Sequence, residues 1–266
     1  MPDTFPPAAE AALKAAARAA LGDASPERLD AFVERLVGRR PVYHQAPQQF
    51  HYPGLAEVEF HDRAAFPWLP AFEAAAPAIR AELESILAED AGDLAPYVDF
   101  PPGAPLGPWA ALNGSDRWGA FHLIFDGRIV RWNAARAPRT MAALEALPQP
   151  WIPGRSPMAT FSVLQPHTHI PPHTGVANTR LIVHLPLIVP PGCRFRVGAE
   201  TREWREGEAF VFDDTIEHEA WNDGAAPRSI LICDVWHPAL SDAERRAVVA
   251  VAAAIEEVAR SPADGT

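Results

Sequence analysis

The sequence predicts a mainly β protein with flanking helices, an α+β architecture whose core is a barrel or sandwich of short strands. Between Trp118 and Trp236, short apolar runs with period-two patterning are separated by Pro, Gly and Asn-Asp-Gly segments. On either side of this stretch, apolar residues recur at helical spacing. We therefore expect a helical and loop region at 1–115 that packs on the core, a β core at 116–240 and a C-terminal helix at 241–266.

The N-terminal region contains two expected helices. Ser25 followed by Pro26 is typical of a helix start, because serine caps free N–H groups and proline fits the first turn. Apolar residues at helical spacing predict a second helix from Phe72 to Leu87. The Pro- and Gly-rich connection at 91–115 is too long for a passive linker, so it is either disordered or lines a substrate cleft. Together with the loop at 41–68, it is the expected lid of the site.

The β core begins with an expected hairpin. Asp126-Gly127 is a strong turn signal between Phe121–Phe125 and Ile129–Trp132, and a short helix is expected at 138–147. The later expected strands are Thr160–Leu164, Thr179–Val189, Cys193–Val197, Ala209–Asp213 and Ser229–Trp236. The final helix starts at a capping box, in which Ser241 and Glu244 bond each other's backbone N–H groups.

Charge and composition exclude several classes of function. The chain has 266 residues, with 23 Lys and Arg against 34 Asp and Glu, so its net charge is −11. This acidity, with no cluster of basic residues, argues against a nucleic-acid partner. No apolar run approaches the roughly 18 residues that span a bilayer, and the N-terminal segment does not have a signal-peptide layout, so we expect a cytoplasmic protein. Two cysteines, Cys193 and Cys233, give neither a disulfide framework nor a closed zinc site.

The histidines cluster in the strand-rich half. Six of the ten lie within 71 residues of one another: His167, His169, His173, His184, His218 and His237. Neutral imidazoles are good ligands for iron, zinc, copper and nickel. Each histidine taken alone is also explained as an ordinary loop or core residue, so only the local context points to a metal.

His173 and His218 have the most suggestive context. Two prolines stiffen the approach to His173, and Gly175 follows it. His218 comes 45 residues later, after two or three expected strands, which allows both side chains to reach the same mouth of a barrel. A non-heme iron site usually adds a carboxylate. The candidates near His218 are Asp213, Asp214 and Glu217.

Charged side chains share a face with apolar ones on two expected strands. Strand period places Arg180, Ile182 and His184 on one face of their strand. Another face carries Arg228, Ile230, Ile232 and Asp234. Two arginines projecting into one interior suit a small dicarboxylate, because a guanidinium binds a carboxylate in a bidentate fork. The alternative is that the arginines lie at an exposed edge or pair with nearby aspartates.

Ordered motifs over residues 158–245 carry a resemblance to a known family. They are H-T-G, N-x-R-L-x-x-H-L, F-D-D-x-x-E-H-x-x-W and D-V-W-H-P. The segment resembles the aspartyl/asparaginyl β-hydroxylases, which are Fe(II)- and 2-oxoglutarate-dependent dioxygenases. The resemblance implies a double-stranded β-helix, a flattened barrel of two sheets with the metal at its open end. The chain looks like a stand-alone bacterial member, without the membrane anchor and helical repeats of the animal enzymes.

The resemblance also implies roles for single residues. His173 and His218 match the two iron ligands, and Arg228 matches the cation that holds the distal carboxylate of 2-oxoglutarate. Ser162 and His184 match further hydrogen-bonding partners of this cosubstrate.

Two further positions bear on the substrate and on the iron shell. Arg180 matches a substrate-contacting position, whereas Ile182 stands where animal members carry a second arginine. This difference concerns how the metal-side carboxylate of the cosubstrate is held. Gly175 replaces the usual carboxylate ligand, as it does in the family.

The reaction implied by the resemblance uses Fe(II), 2-oxoglutarate and O2, and releases succinate and CO2. The expected product is an aspartyl or asparaginyl unit hydroxylated at its β-carbon, in a peptide, a carrier-bound or a free amino acid. A lipid acyl chain is an alternative substrate. Other hypotheses are halogenation at the same iron, a non-catalytic cupin-like binding module and a zinc hydrolase. Trp109, Trp118 and Trp221 are candidates to pack on substrate, with ordinary core packing as the alternative.

Overall fold

The structure, a computed structural model, describes residues 5–20, 22, 25–89 and 94–260. The end of the predicted C-terminal region (261–266) and the start of the predicted loop at 91–115 (91–93) lie outside the described residues. The chain forms two compact units, residues 1–44 and 45–266. The limits predicted for the three regions, at 115 and 240, stay predictions.

Each predicted helix and strand has a counterpart in the structure, which also contains elements that the sequence did not predict. The helices are α1 (Pro7–Ala19), α2 (Pro26–Leu36), α3 (Leu69–Ala74), α4 (Ala76–Glu89), α5 (Arg131–Ala135), α6 (Pro138–Glu145) and α7 (Asp242–Arg260). The strands up to the first histidine of the candidate site are β1 (Ala95–Pro96), β2 (Trp118–Phe125), β3 (Arg128–Ile129), β4 (Ala159–Leu164) and β5 (Thr168–His173). The later strands are β6 (Arg180–Ile188), β7 (Cys193–Val197), β8 (Glu200–Glu203), β9 (Phe210–Phe212), β10 (His218–Asn222) and β11 (Arg228–Trp236).

The first unit contains α1 and α2. The helix start predicted at Ser25 is confirmed, since its side chain accepts a hydrogen bond from the backbone N–H of Arg28. Within this unit Lys14 pairs with Glu34 at 2.7 Å.

The second unit is built on two antiparallel sheets. The larger has the order β1-β2-β4-β11-β6-β9, with β3 attached to β2, and the smaller has the order β5-β10-β7-β8. Strands far apart in sequence are neighbours in each sheet, which is the double-stranded β-helix that the resemblance implied. The mainly β fold class with flanking helices is therefore confirmed.

The two faces of the larger sheet have different partners. Odd-numbered residues of β6, including Leu181, Val183 and Leu185, are buried in the main apolar core together with Ile79 and Leu83 of α4. Even-numbered residues of the same strand point the other way and line a cavity to which the smaller sheet also contributes side chains. The helices thus cover one face of the sheet, while the other face carries the polar groups.

Three local predictions differ from the structure. The second predicted helix is two helices, α3 and α4, separated at Ala75. The hairpin is shorter than predicted, because Arg131 begins α5 where a strand was expected to continue to Trp132. Four strands, not two or three, lie between His173 and His218.

Strand β5 was not predicted from the sequence, because its composition is unusual for a strand. It contains Pro171 and Pro172, which cannot donate backbone hydrogen bonds, and it is accommodated as an edge strand of the smaller sheet. None of the described helices is both long and apolar enough to cross a membrane.

Truncation of Ile79 to alanine tests the position of the core. Ile79 is 0% exposed on α4, so Ile79→Ala is expected to lower the free energy of unfolding by about 2–5 kcal/mol through lost burial and a residual cavity. Ile129→Ala is the matched control, because Ile129 is 48% exposed and its truncation should cost about 0.5 kcal/mol or less. Denaturant unfolding measures both, and equal losses would contradict the described core.

Candidate active site

Two histidines meet at the edge of the smaller sheet. His173 ends β5 and His218 begins β10, and the two residues are direct partners in the antiparallel pairing of these strands. Their ring centroids are 4.0 Å apart. Both side chains line a cavity of about 410 Å³ between the two sheets. The structure thus brings together the two histidines that the sequence singled out.

Backbone hydrogen bonds fix the tautomer of both rings. Nδ1–H of His173 donates to the carbonyl of Pro171 at 2.8 Å, and Nδ1–H of His218 donates to that of Ile216 at 3.0 Å. Each Nε2 therefore keeps its lone pair. Burial lowers the pKa of both histidines, and for His218 the neighbouring His173 lowers it further. Both rings are neutral near pH 7, which is the form that binds a metal.

The three carboxylates proposed as a further ligand have different partners. Asp213 accepts hydrogen bonds from Thr215 and from Gln45, and Glu217 pairs with Arg196 at 2.8 Å. Of the three, Asp214 alone lines the cavity. Across the described ranges, no third His, Cys, Asp or Glu joins the histidine pair to form a metal-binding group of three.

Asp214 explains why position 175, two residues after His173, is a glycine. The backbone N–H of Gly175 donates to the carbonyl of Asp214 at 2.7 Å, which ties the loop after His173 to the loop before His218. A Cβ at position 175 would overlap the carboxylate of Asp214. The space that a side chain at this position would use is already filled by a carboxylate.

Arg228 is a buried cation without a carboxylate partner among the described residues. It is 1% exposed, and its Nε and Nη1 have no hydrogen-bond acceptor. Its guanidinium carbon lies 4.8 Å from the ring centre of Trp204. Burial lowers the pKa of Arg228 to about 10. A site that holds a guanidinium in this state is suited to an anionic ligand, which would restore the missing partner.

Arg180 is also buried but lies between two carboxylates. Its Nη1 is 3.1 Å from Asp214 and its Nε is 3.6 Å from Asp234. Burial opposes the charge of Arg180, yet the two aspartates raise its pKa. For Asp214 burial outweighs the attraction of Arg180, so its pKa is raised to about 6. The sequence left open whether the two arginines pair with nearby aspartates or are available to a ligand. Arg180 is ion-paired with aspartates, whereas Arg228 is not paired with any described carboxylate.

Ser162 and His184 present hydrogen-bond donors to the same cavity. Oγ of Ser162 accepts a bond from Nε1–H of Trp118 at 2.9 Å, which leaves the serine hydroxyl proton available. Nδ1 of His184 accepts from Nε1–H of Trp204 at 3.4 Å, so the proton of this neutral imidazole is on Nε2. Burial, with a smaller contribution from Arg228, lowers the pKa of His184.

The long loops contribute to the cavity, as their length suggested. Trp109 contacts the ring of His173 edge to face, with centroids 4.7 Å apart. Tyr97 stacks on Trp118 at 3.8 Å, and both line the cavity. Tyr97 was not among the sequence candidates, because nothing but its place in a Pro-rich loop marks it. Trp221 lies elsewhere and stacks on His169.

Several histidines of the sequence cluster are not part of this cavity. His169 is hydrogen-bonded to Glu219 at 2.8 Å. His237 packs against His61, with ring centroids 5.4 Å apart. Period and spacing could not separate these histidines from the pair at 173 and 218.

Comparison with known proteins identifies the family. The model of the aspartyl/asparaginyl β-hydroxylase family matches residues 73–238. The chain belongs to this family.

Aspartyl/asparaginyl β-hydroxylase relatives match different lengths of the chain. The human aspartyl/asparaginyl β-hydroxylase is 41% identical over 135 residues, which cover 50% of this chain and 18% of that protein. The ornithine lipid ester-linked acyl 2-hydroxylase of Rhizobium tropici is 36% identical over 195 residues, covering 72% of this chain and 65% of that protein. The chain spans less than two thirds of the length of either relative.

Among solved structures, a Cupin 2 conserved barrel domain protein from Salinispora arenicola has a TM-score of 0.29 and 9% identity. The match covers 52% of this chain and 84% of that one.

The contact between position 175 and Asp214 predicts a coupling between two substitutions. Gly175→Ala should destabilise the protein because the new methyl group collides with the carboxylate of Asp214. In an Asp214→Ala background the same change should cost at least about 1 kcal/mol less, since the obstacle is gone. Thermal or denaturant unfolding of the four proteins gives the coupling energy, and additive effects would refute the contact.

The two buried arginines predict opposite responses to the same substitution. Arg228→Met removes a buried charge that lacks a carboxylate partner, so without cosubstrate it should be neutral or stabilise folding by up to about 2 kcal/mol. Arg180→Met leaves Asp214 and Asp234 buried together and should lower the unfolding free energy by about 2 kcal/mol or more. Urea unfolding at pH 7 distinguishes the two. Equal losses in both variants would mean that Arg228 has an anionic partner within the protein.

Proposed function

We propose that this protein is an Fe(II)- and 2-oxoglutarate-dependent dioxygenase. It hydroxylates a methylene carbon attached to a carboxyl or carbonyl carbon. The expected case is the β-carbon of an aspartyl or asparaginyl unit, in a small molecule, a peptide or a carrier-bound amino acid. The observation that carries the proposal is a neutral histidine pair and a buried arginine without a described carboxylate partner in one cavity.

The residues present fit both groups. The tautomers of His173 and His218 leave both Nε2 lone pairs for one metal ion. Arg228 has two unsatisfied nitrogens and would bind the distal carboxylate of 2-oxoglutarate. When bound, the iron would supply the oxidation that side chains cannot perform, in which O2 converts C–H to C–OH while 2-oxoglutarate becomes succinate and CO2.

The side chains of the cavity then have separate tasks. The hydroxyl group of Ser162 and the Nε2–H of His184 would each donate a hydrogen bond to an oxygen atom of the cosubstrate. Ile182, Ile230 and Ile232 line the cavity and exclude water from the reacting carbon. Ile182 has no hydrogen-bond donor, and Arg180, two residues earlier on the same face, is the cation that would contact the substrate.

Asp214 supports hydroxylation over halogenation. Its carboxylate fills the space beside Gly175, and a halide there would meet a second negative charge in a buried site. With two histidines and no third protein ligand among the residues that the structure describes, the site also lacks the usual ligand set of a zinc hydrolase.

A second candidate is hydroxylation of an acyl chain. The name of the Rhizobium relative assigns to that protein the 2-position of an ester-linked acyl chain, and that relative aligns with 72% of this chain. The β-carbon of aspartate and the 2-position of an acyl chain are both methylene carbons attached to a carbonyl carbon. The same cavity chemistry serves either substrate, so the two candidates differ in what extends beyond that carbon.

Substitution of single histidines tests the metal site. His173→Ala and His218→Ala should each abolish succinate formation from 2-oxoglutarate with added Fe(II), because a single imidazole holds the ion poorly. They should also weaken Co(II) binding, followed by its absorbance, at least tenfold. His169→Ala is the matched control, since His169 pairs with Glu219 and does not line the cavity. Unchanged turnover in either cavity variant would refute the assignment.

Arg228→Ala separates cosubstrate binding from chemistry. The variant should chiefly raise the 2-oxoglutarate concentration needed for half-maximal turnover, because it loses the partner of the distal carboxylate. Succinate release at increasing 2-oxoglutarate measures this. A wild-type dependence on 2-oxoglutarate would show that another group holds the cosubstrate.

A further inference from the structure

A second cavity, larger than the one with the histidines, lies against α7. Its volume is about 550 Å³, compared with about 410 Å³ for the histidine cavity. Its walls come from residues 49–52, residues 150–156, the start of β6 with the preceding loop, and α7. A volume of this size is within the range of about 300–1,000 Å³ that is usual for small-molecule sites.

Most of the accessible surface in this cavity is apolar, although polar residues including His51, Asp126 and Arg155 also line it. The apolar side chains that line it include Phe50, Ile152, Val176, Ala177, Val248 and Val251. Helix α7 adds Ala247 and Ala252, whose small side chains leave the cavity open. Val251 is 56% exposed although it is a valine in a cavity wall. Apolar surface left in water is unfavourable, so an apolar ligand would be stabilised here.

Arg180 belongs to the walls of both cavities. Next to it, the hydroxyl of Ser156 and the backbone N–H of Met158 both donate to the same oxygen of Asp234, at 3.0 Å each. Ser156 lines the larger cavity, whereas Met158 lines the histidine cavity. Arg180 and the groups that bond Asp234 thus lie on the boundary between the apolar space and the candidate metal site. A ligand that extends from one cavity into the other would pass Arg180, whose guanidinium can bond a carboxyl or carbonyl oxygen.

We propose that the larger cavity binds the aliphatic chain of an acylated substrate. The polar end of the substrate occupies the histidine cavity, and a carbonyl or carboxyl group contacts Arg180. This inference rests on the proposed function and names the class of substrate for it.

The lining favours an aliphatic chain over a peptide. Every peptide unit brings an N–H and a C=O that must be hydrogen-bonded when buried. Two polar side chains of the lining already have partners, since Ser156 donates to Asp234 and the side-chain oxygen of Gln49 accepts from Arg155. A peptide would bring further backbone groups that need partners, whereas a hydrocarbon chain brings none.

The test compares ligands that differ only in chain length. N-acetyl-, N-octanoyl- and N-dodecanoyl-aspartate have the same head group, and their binding to the metal-free protein can be measured by calorimetry. Each buried methylene should tighten binding about fourfold until the cavity is full. Equal affinities for the acetyl and dodecanoyl compounds would overturn the proposal.

Two phenylalanine substitutions on α7 locate the binding site. Ala247→Phe places a ring in the cavity and should weaken N-dodecanoyl-aspartate binding at least tenfold, with N-acetyl-aspartate little affected. Ala253→Phe is the matched control, because Ala253 is exposed on another face of α7 and does not line the cavity. Equal effects of the two variants would indicate nonspecific adsorption and overturn the proposal. If Ala247→Phe does not fold, Val251→Trp fills the same space from a half-exposed position.

The outcomes separate this inference from the proposed function. Succinate formation from 2-oxoglutarate by the wild-type protein, without any effect of chain length on binding, would overturn the acyl-chain site alone. Chain-length-dependent binding without succinate formation would support the site and overturn the dioxygenase. Preferential binding of an N-acetylated aspartyl tetrapeptide, blocked by Ala247→Phe, would replace the acyl chain by a peptide and overturn the proposal.

Discussion

The candidate site depends on the register between β5 and β10. Because these strands pair with His173 directly opposite His218, two imidazoles from positions 45 residues apart face each other. A shift of the register by one residue would send one ring to the opposite face of the sheet. The carbonyls of Pro171 and Ile216 then orient the rings, each from two residues earlier in its own chain segment. Strand pairing and local backbone together determine the placement and orientation of the two imidazoles.

The interior of the β-helix contains charges that the rest of the core excludes. On the helix-covered face of the larger sheet, side chains are aliphatic and aromatic, and they bury the apolar surface that stabilises the fold. On the inner face, Arg180 is offset by two aspartates and Arg228 by none among the described residues. Arg180 lies on the boundary of the two cavities with its charge offset, whereas the guanidinium of Arg228 suits an anionic ligand.

The position of Arg180 also links substrate choice to the C-terminal helix. Helix α7 is remote from the histidine pair in sequence, yet its small residues form a wall of the cavity that Arg180 shares with the histidine cavity. Variation in the size of side chains on this helix would change the space for the distal part of a substrate without altering the metal ligands.

The local sequence pattern was sufficient to predict much of the secondary structure, because strand periodicity and helix capping depend on residues that are close together in the chain. It identified most strands, the start of α2 at Ser25, the shared face of Arg180, Ile182 and His184, and the two histidines worth pairing. It missed β5, whose prolines are allowed only because the strand lies at a sheet edge, and β10, which carries His218, and it extended the second strand of the hairpin into α5. Tertiary structure alone decided which aspartates pair with Arg180, why Gly175 must lack a side chain and that α7 encloses a second cavity. These features depend on contacts between segments far apart in the chain, and the sequence pattern of either segment carries no information about its partner.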